Sequence, residues 1–144
     1  MRALLDVNVL VAILDSNHTF HARAHSWLKA EKKIAWASCP LTENGVLRIM
    51  SNPGYDPVRK HSLQQLAAQL RIFIEKTDHE FWEDKLSMLN DSVFALDYTY
   101  SYRHLTDSYL LALATVNQGC FVTFDQSIIL SWVKGATADK LKMI

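Results

Sequence analysis

Four of the fifteen acidic residues stand at positions that are expected to be apolar or buried rather than solvated. Asp6 ends a predicted strand in RALLD, and Asp125 ends another in CFVTFD. In parallel α/β sheets, ligands bind beyond the carboxyl ends of the strands, so we expect these two carboxylates to share one crevice if their strands are neighbours. The other two acids, Glu43 and Asp107, lie on predicted helices.

Glu43 and Asp107 share a pattern, because each precedes apolar residues three, four and seven positions further along the chain. This spacing places each carboxylate on the face of its helix that packs inward. An unpaired carboxylate facing a core costs several kcal/mol or becomes neutral. Four such groups are tolerated around a cation or a cluster of donors, and hard oxygen ligands suit Mg²⁺, with Mn²⁺ as a possible substitute.

Each acid taken alone also has an ordinary structural interpretation. Asp107 and Asp125 stand at predicted helix starts, where Asp is a favoured cap, and Glu43 suits a half-exposed helix face. Asp6 is harder to explain in this way, because Asn8 can cap the following helix itself. Since all four structural interpretations have to hold together, the sequence favours an acidic site.

The predicted elements alternate between strand and helix. Strands are predicted in RALLD, KIAWAS and CFVTFD and at the start of HEFWEDKLSML; helices are predicted in NVLVAILD, HARAHSWLKAEK, PLTENGVLRIM, HSLQQLAAQLRIFIEK, LTDSYLLALATVNQG and QSIILSWV. Ser38 is expected to cap the third helix and Gly119 to close the fifth. Alternation of this kind predicts one α/β domain over residues 1–144, with a parallel sheet of about four or five strands between helices.

Composition limits the classes of function. The chain has 15 basic and 15 acidic residues, which argues against a general grip on nucleic acid but leaves room for a local basic patch. Cys39 and Cys120 form no C-x-x-C pair and are expected to be reduced core residues. The opening apolar run carries an acid at its centre and is shorter than the ~20 residues that cross a bilayer, so we expect a cytoplasmic protein without membrane contact.

Four segments together resemble the PIN-domain ribonucleases, and specifically the VapC toxins of type II toxin–antitoxin pairs. They are LLDVNVLVAILD, SCPLTENGVLRIMSNPGY, LTDSYLLALA and FVTFDQSI, and their D-x-N, T-E-N, T-D-x-Y-L and T-F-D blocks follow the family's order from Arg2 to about Ser131. The resemblance implies a PIN-like, flavodoxin-like fold. It also implies a Mg²⁺-dependent endoribonuclease that leaves a 5′-phosphate and a 3′-hydroxyl, a cognate antitoxin and a homodimer.

The resemblance assigns roles to the acidic residues. Asp6 and Asp107 match direct magnesium ligands, and Glu43 and Asp125 match acids that complete the pocket directly, through water or at a second ion. Asn8 and Thr123 match polar positions that hold the acids in place.

RNA contacts are predicted from basic residues and from a tyrosine-rich segment. The candidates are Arg48, Arg59, Lys60, Arg103 and His104, with Tyr98, Tyr100 and Tyr102 as stacking faces. Each basic residue alone is better explained as a solvated surface group.

Three alternatives are weighed against the nuclease. A receiver-type signalling module also places acids around Mg²⁺, but it carries adjacent acids after its first strand, where Val7 follows Asp6 here. A PIN scaffold without catalysis would bind RNA or protein only. A zinc site at His18, His21 and His25 lacks a further soft ligand placed by any motif.

Overall fold

A five-stranded parallel sheet forms the centre of the fold in the computed structural model, which describes residues 1–97 and 101–144. Its strands are β1 (Ala3–Leu5), β2 (Ala35–Ser38), β3 (Asp78–Phe81), β4 (Cys120–Thr123) and β5 (Leu141–Met143). Their order is β3-β2-β1-β4-β5, and each pair of neighbours is parallel. The predicted fold class and strand number are confirmed, including the strand at the start of HEFWEDKLSML.

Five α-helices flank the sheet in the described residues: α1 (Val7–Leu14), α2 (His21–Ala30), α3 (Pro40–Ser51), α4 (Leu63–Glu75) and α5 (Leu105–Val116). Short 3-10 turns occur at Tyr102–His104, Leu130–Trp132 and Ala138–Lys140. None of the helices in these ranges has the length and apolarity needed to span a membrane.

Each face of the sheet has its own hydrophobic core. In β1, Ala3 and Leu5 contribute to a core built with α1 to α4, whereas Leu4 contributes to one built with α5 and the chain around Phe94. This division follows from the alternation of side chains along a strand. Cys39 is buried and Cys120 half-buried, and both are free thiols, as the sequence predicts.

The register of β1 and β4 brings their carboxyl ends level. Leu5 pairs with Val122, and the amide of Asp6 continues the ladder by donating to the Val122 carbonyl at 2.9 Å. Asp6 then starts α1 as its N-terminal cap residue. The residues that follow the two strands are therefore held side by side.

Helix α3 approaches the start of α1 closely through Gly45. A Cβ atom at this position would lie 2.6 Å from Val7 Cγ2 and 3.0 Å from Val7 Cγ1. Val7 directly follows Asp6, and Gly45 lies two residues after Glu43. The missing side chain thus lets the helix that carries Glu43 pack against the residue beside Asp6.

The predicted final helix in QSIILSWV is wrong. Only Leu130–Trp132 forms a 3-10 turn, after which Val133 pairs with Phe94 in an antiparallel bridge. The amide of Ala95 also donates to the Trp132 carbonyl at 2.9 Å. Pairing with this distant segment replaces the helical hydrogen bonds, and the chain then continues into β5, an edge strand that the sequence pattern did not reveal.

Two predicted helix ends also differ from the structure. The cap residue of α3 is Cys39, whose amide donates to Thr42 Oγ1 at 2.9 Å, and not Ser38. After α5 the left-handed residue is Gln118 (φ 57°), and not Gly119. Gly119 is needed for a close approach instead, because a Cβ there would lie 2.5 Å from the carbonyl oxygen of Arg2.

Replacement of Gly45 by alanine should lower the free energy of unfolding by about 1–3 kcal/mol, because the new methyl group collides with the stiff, half-buried Val7 side chain. Without that collision, alanine would stabilise a helix interior by about 1 kcal/mol relative to glycine. Urea unfolding of Gly45→Ala against the exposed neighbour Asn44→Ala measures the difference. A Gly45→Ala protein more stable than wild type would contradict the close approach.

Candidate functional site

Asp6 is a buried carboxylate at the carboxyl end of β1, with 6% of its surface exposed. Its Oδ2 accepts a hydrogen bond of 2.7 Å from Oγ1 of Thr123, which is fully buried at the end of β4. The same Thr123 oxygen accepts a bond of 3.0 Å from the amide of Asp125. Thr123 therefore connects the two acids that follow β1 and β4, at the position where the sequence analysis placed a supporting residue.

Asp125 is exposed beyond the end of β4 and is oriented by the turn that follows it. Its Oδ1 accepts hydrogen bonds of 2.7 Å from both the amide and the hydroxyl of Ser127. The side chain thus fixes the turn after β4, and it does not cap a helix, because the helix predicted after it does not form. Its charge nevertheless acts on the two other acids of the crevice.

Asp107, in the first turn of α5, has a pKa raised to about 7. Burial is the largest cause, and the negative charges of Asp6 and Asp125 add to it. The pKa of Asp6 is also raised, chiefly by burial and further by Asp125, against the hydrogen bond from Thr123 and the nearby amides that begin α1. The structure therefore brings three of the four predicted acids into one electrostatic unit.

Glu43 belongs to a neighbouring arrangement. It is half-buried on α3, and its Oε1 accepts a hydrogen bond of 2.7 Å from Ser38 Oγ. Its charge acts on His79 of β3 and does not figure among the causes that raise the pKa of Asp107. Glu43, the fourth predicted acid, is thus held by Ser38 of β2, and its charge acts on His79 of β3.

The donor set of the three aspartates suits a hard divalent cation. Within residues 1–97 and 101–144, no three His, Cys, Asp or Glu side chains converge closely enough to form a ready-made metal site. The three carboxyl groups nevertheless repel one another, and no basic group is among the causes that set the pKa of Asp107. Buried carboxylates of this kind are stabilised by pairing or by a metal, and a divalent cation would supply positive charge that no described basic residue places beside Asp107.

The sequence predicts that Asn8 can cap α1 and hold the acids in place, and the structure differs on the cap. The cap residue of α1 is Asp6, so the predicted capping role is wrong. Asn8 is exposed in the first turn of α1, and its side chain makes no hydrogen bond to the described residues. Thr123 is the polar side chain that contacts Asp6.

Arg59, predicted to contact RNA, is engaged in a structural cluster. Its guanidinium pairs with Asp15 at 3.3 Å and with Asp56 at 2.9 Å. Asp15 is buried and also accepts a bond of 2.6 Å from the Tyr55 hydroxyl. Burial opposes ionisation of Asp15, but its hydrogen bonds outweigh that effect and hold its pKa below the usual value. The cluster fastens the loop after α3 to the end of α1.

The other predicted RNA-contact residues lie before α5, on α3 and in the loop before α4. Arg103 donates to the Tyr102 hydroxyl at 3.1 Å, and both are exposed just before α5, which carries Asp107. His104 stacks on Trp132 with ring centroids 4.1 Å apart. Arg48 and Lys60 are exposed. Tyr98 and Tyr100 lie outside the described residues.

The three histidines considered for zinc have structural contacts instead. His21 Nδ1 lies 2.8 Å from the Ala12 carbonyl, and His25 Nε2 lies 3.1 Å from the Ile13 carbonyl. Carbonyls in the last turn of a helix lack partners within it, so these side chains complete the end of α1. His18 Nδ1 accepts a bond from the Phe20 amide at 3.1 Å.

Replacement of Asp107 by asparagine should stabilise the protein at pH 8 in EDTA. A carboxyl whose pKa is raised on folding binds more protons in the folded state between its unfolded value and about 7, so its contribution to stability falls as pH rises through that window. We expect a gain of about 1–2 kcal/mol at pH 8 after discounting for solvent screening, and a much smaller gain at pH 4. Thermal unfolding at both pH values measures it. Equal gains at both would contradict the repulsion.

Replacement of Arg59 by alanine should lower the free energy of unfolding by about 1–2 kcal/mol, because buried Asp15 loses its cationic partner while it keeps its other hydrogen bonds. The exposed neighbour Lys60→Ala provides the control, with an expected change within about 0.5 kcal/mol. Urea unfolding compares the two variants. Equal stabilities would argue that Arg59 is free for another role.

Comparison with known proteins finds a family model and relatives that match most of this chain. The PIN domain family model matches residues 3–130. Ribonuclease VapC44 of Mycobacterium tuberculosis is 45% identical over 143 residues, 98% of each chain. Ribonuclease VapC39 of the same organism is 38% identical over 128 residues, which are 89% of this chain and 91% of the relative.

A similar fold occurs in a solved structure. The crystal structure of VapBC2 from Rickettsia felis bound to a DNA fragment from their promoter contains a chain that matches with a TM-score of 0.56 at 14% identity, over 100% of this chain and 99% of that one. At this identity the likeness concerns the fold alone.

Proposed function

The chain belongs to the PIN-domain family and, within it, to the VapC ribonucleases, and from that premise we propose that it is a Mg²⁺-dependent endoribonuclease acting as the toxin of a type II toxin–antitoxin pair. The observation that carries the proposal is the group of three aspartates that repel one another at the carboxyl ends of β1 and β4. The family match leaves the receiver-type alternative without support.

Asp6 and Asp107 would hold the magnesium ion, and Asp125 and Glu43 would complete its surroundings directly or through water. Mn²⁺ suits the same hard oxygen donors. When bound, such an ion supplies activation of a water nucleophile and neutralises the charge that develops on the phosphate. No nucleophilic serine or cysteine is required, and RNA hydrolysis would leave a 5′-phosphate and a 3′-hydroxyl.

The chain's own residues hold the acids in position. Thr123 donates a hydrogen bond to Asp6 Oδ2 and so fixes the orientation of that carboxylate. Ser127 fixes Asp125 through two bonds to Oδ1. Burial and the charges of Asp6 and Asp125 raise the pKa of Asp107, so a divalent cation would compete with protons for this carboxylate, and binding of the ion would strengthen with pH near neutrality.

RNA would reach this site past the exposed segment before α5. Tyr102 offers a stacking face and Arg103 a charge for the phosphate backbone, four residues before Asp107. Arg48, Lys60 and His104 remain candidate contacts, whereas the ion pairs of Arg59 favour a structural role. The net charge of zero fits a local grip of this kind better than a general one.

Further parts of the proposal concern the protein's surroundings. We expect a cognate antitoxin that covers the acidic site, a homodimer, and a cytoplasmic location. The antitoxin is supported by the VapC relatives and by the fold's similarity to a chain of the VapBC2 complex. The dimer is expected from the family resemblance, and the location from the opening apolar run, whose central acid and short length suit neither a signal peptide nor a membrane span.

Purified protein should cleave RNA in Mg²⁺ or Mn²⁺ and lose this activity in EDTA. Asp6→Ala and Asp107→Ala should each lower the cleavage rate by at least about a hundredfold, because each removes a carboxylate at the centre of the charge stabilisation. A time course on total RNA, resolved on denaturing gels, measures the rates. Thr123→Val, which keeps the shape of Thr123 but not its bond to Asp6, should cause a smaller loss.

Two outcomes would overturn this proposal. Cleavage that survives Asp107→Ala would place catalysis elsewhere, and RNA binding without cleavage in any divalent cation would favour a PIN scaffold without catalysis. In cells, induction of the wild-type chain should arrest growth and induction of Asp107→Ala should not. Relief of the arrest by the protein encoded next to this gene would identify the antitoxin.

A further inference from the structure

Glu43 is connected to the edge of the sheet by a short chain of hydrogen bonds. Ser38, the last residue of β2, is fully buried, and its Oγ donates to Glu43 Oε1 at 2.7 Å. The same Oγ lies 2.8 Å from Nε2 of His79 on β3. The three side chains thus come from a helix and two adjacent strands, at the side of the crevice away from β4.

The direction of these bonds follows from the donors available. A serine hydroxyl has one proton, and the Glu43 carboxylate can only accept it. The hydroxyl must then accept from His79, so the proton of the imidazole is on Nε2 and not on Nδ1 alone. Burial lowers the pKa of His79, which favours a neutral ring with this single tautomer at neutral pH.

Neither the Ser38–Glu43 nor the Ser38–His79 hydrogen bond is needed to begin helix α3 or to pack the His79 ring. Helix α3 is capped by Cys39 and Thr42, so the hydroxyl of Ser38 is not required there. The His79 ring packs on Trp36 with centroids 4.4 Å apart, a contact that an apolar ring would also make. The polar atoms of Ser38 and His79 are therefore directed at Glu43 rather than at the core.

We propose that Ser38 and His79 are positioning residues that hold the Glu43 carboxylate in its working orientation through the hydrogen-bond chain His79 Nε2–Ser38 Oγ–Glu43 Oε1. This inference rests on the proposed nuclease function. A glutamate has three rotatable side-chain bonds, and partners behind a carboxylate of this kind orient it before substrate arrives. Ser38 contacts no RNA in this role, since it is fully buried, and the half-buried His79 acts through Ser38.

The first experiment compares two variants of one side chain. His79→Phe keeps a ring beside Trp36 but removes the donor, whereas His79→Gln keeps an N–H donor and removes the ring. We expect kcat for RNA cleavage to fall about tenfold in His79→Phe and in Ser38→Ala, with KM unchanged, and to stay within about threefold of wild type in His79→Gln. A purely structural role of the ring would give the opposite order of the two His79 variants.

The second experiment reads the hydrogen-bond chain without activity. Long-range ¹H–¹⁵N NMR at pH 7.5 distinguishes the two histidine tautomers, and the His79→Gln spectrum identifies the His79 signals. We expect the Nε2–H form in wild type. In Glu43→Ala the Ser38 hydroxyl is free to donate to the ring, so the Nδ1–H form should appear.

The two experiments separate failure of the inference from failure of the proposed function. If wild type cleaves RNA and Asp107→Ala does not, but Ser38→Ala and His79→Phe cleave at the wild-type rate, the inference is wrong and the nuclease assignment stands. If wild type does not cleave any RNA, the proposed function fails, and the inference fails with it. An Nδ1–H form in wild type overturns the hydrogen-bond chain whatever the activity.

Discussion

The parallel pairing of β1 with β4 is the constraint on which the candidate site depends. It sets the ends of two strands level, so that Asp6 and Thr123 meet across the gap and Asp125 follows at the same edge. Shifting this register by one residue would turn Thr123 away from Asp6, because successive side chains of a strand point to opposite faces. The hydrogen bond between Asp6 and Thr123 is thus both a product of the sheet and the foundation of the acidic group.

The helices then bring the remaining acids to that edge by different means. Helix α5 carries Asp107 in its first turn. Burial and the charges of Asp6 and Asp125 raise the pKa of this carboxyl to about 7. Helix α3 comes close to α1 because Gly45 has no side chain to collide with Val7, so the helix that carries Glu43 packs against the residue that follows Asp6. Asp6, Asp107 and Asp125 form one electrostatic group, whereas Glu43 is oriented by residues of β2 and β3. The site therefore has a charged centre and a separately oriented glutamate beside it.

Much of this could be predicted from the sequence, because acids at strand ends and on inward helix faces conflict visibly with their apolar surroundings. The parallel sheet followed from buried strands that alternate with helices. The failures have a common cause in long-range partners. The helix predicted in QSIILSWV is replaced by pairing with the segment around Phe94, and β5 forms because β4 offers it an edge.

Two predicted side-chain roles also differ from the structure, because the partners of these side chains meet them only in the folded chain. Ser38 looked like a helix cap, but Glu43 and His79 lie within reach of its hydroxyl only in the folded chain. Arg59 looked like a free basic residue because its partner Asp15 is forty-four positions away. The apolar helix that ends in Asp15 was the one available signal for that cluster, since a carboxylate there also stands in an apolar context.

Asp15 and Asp6 show what separates a structural acid from a candidate functional one. Both are buried, at 8% and 6% exposure. Around Asp15 the fold supplies a tyrosine hydroxyl, a backbone amide and an arginine, and its pKa is lowered. Around Asp6 it supplies one threonine hydroxyl and the start of a helix, and these do not offset the burial of the carboxyl, to which the charge of Asp125 adds, so the pKa is raised. Among the described residues, Asp15 has a cationic partner and Asp6 has none, so the lack of positive charge at Asp6 is specific to this site. A bound divalent cation is the partner that would supply that charge.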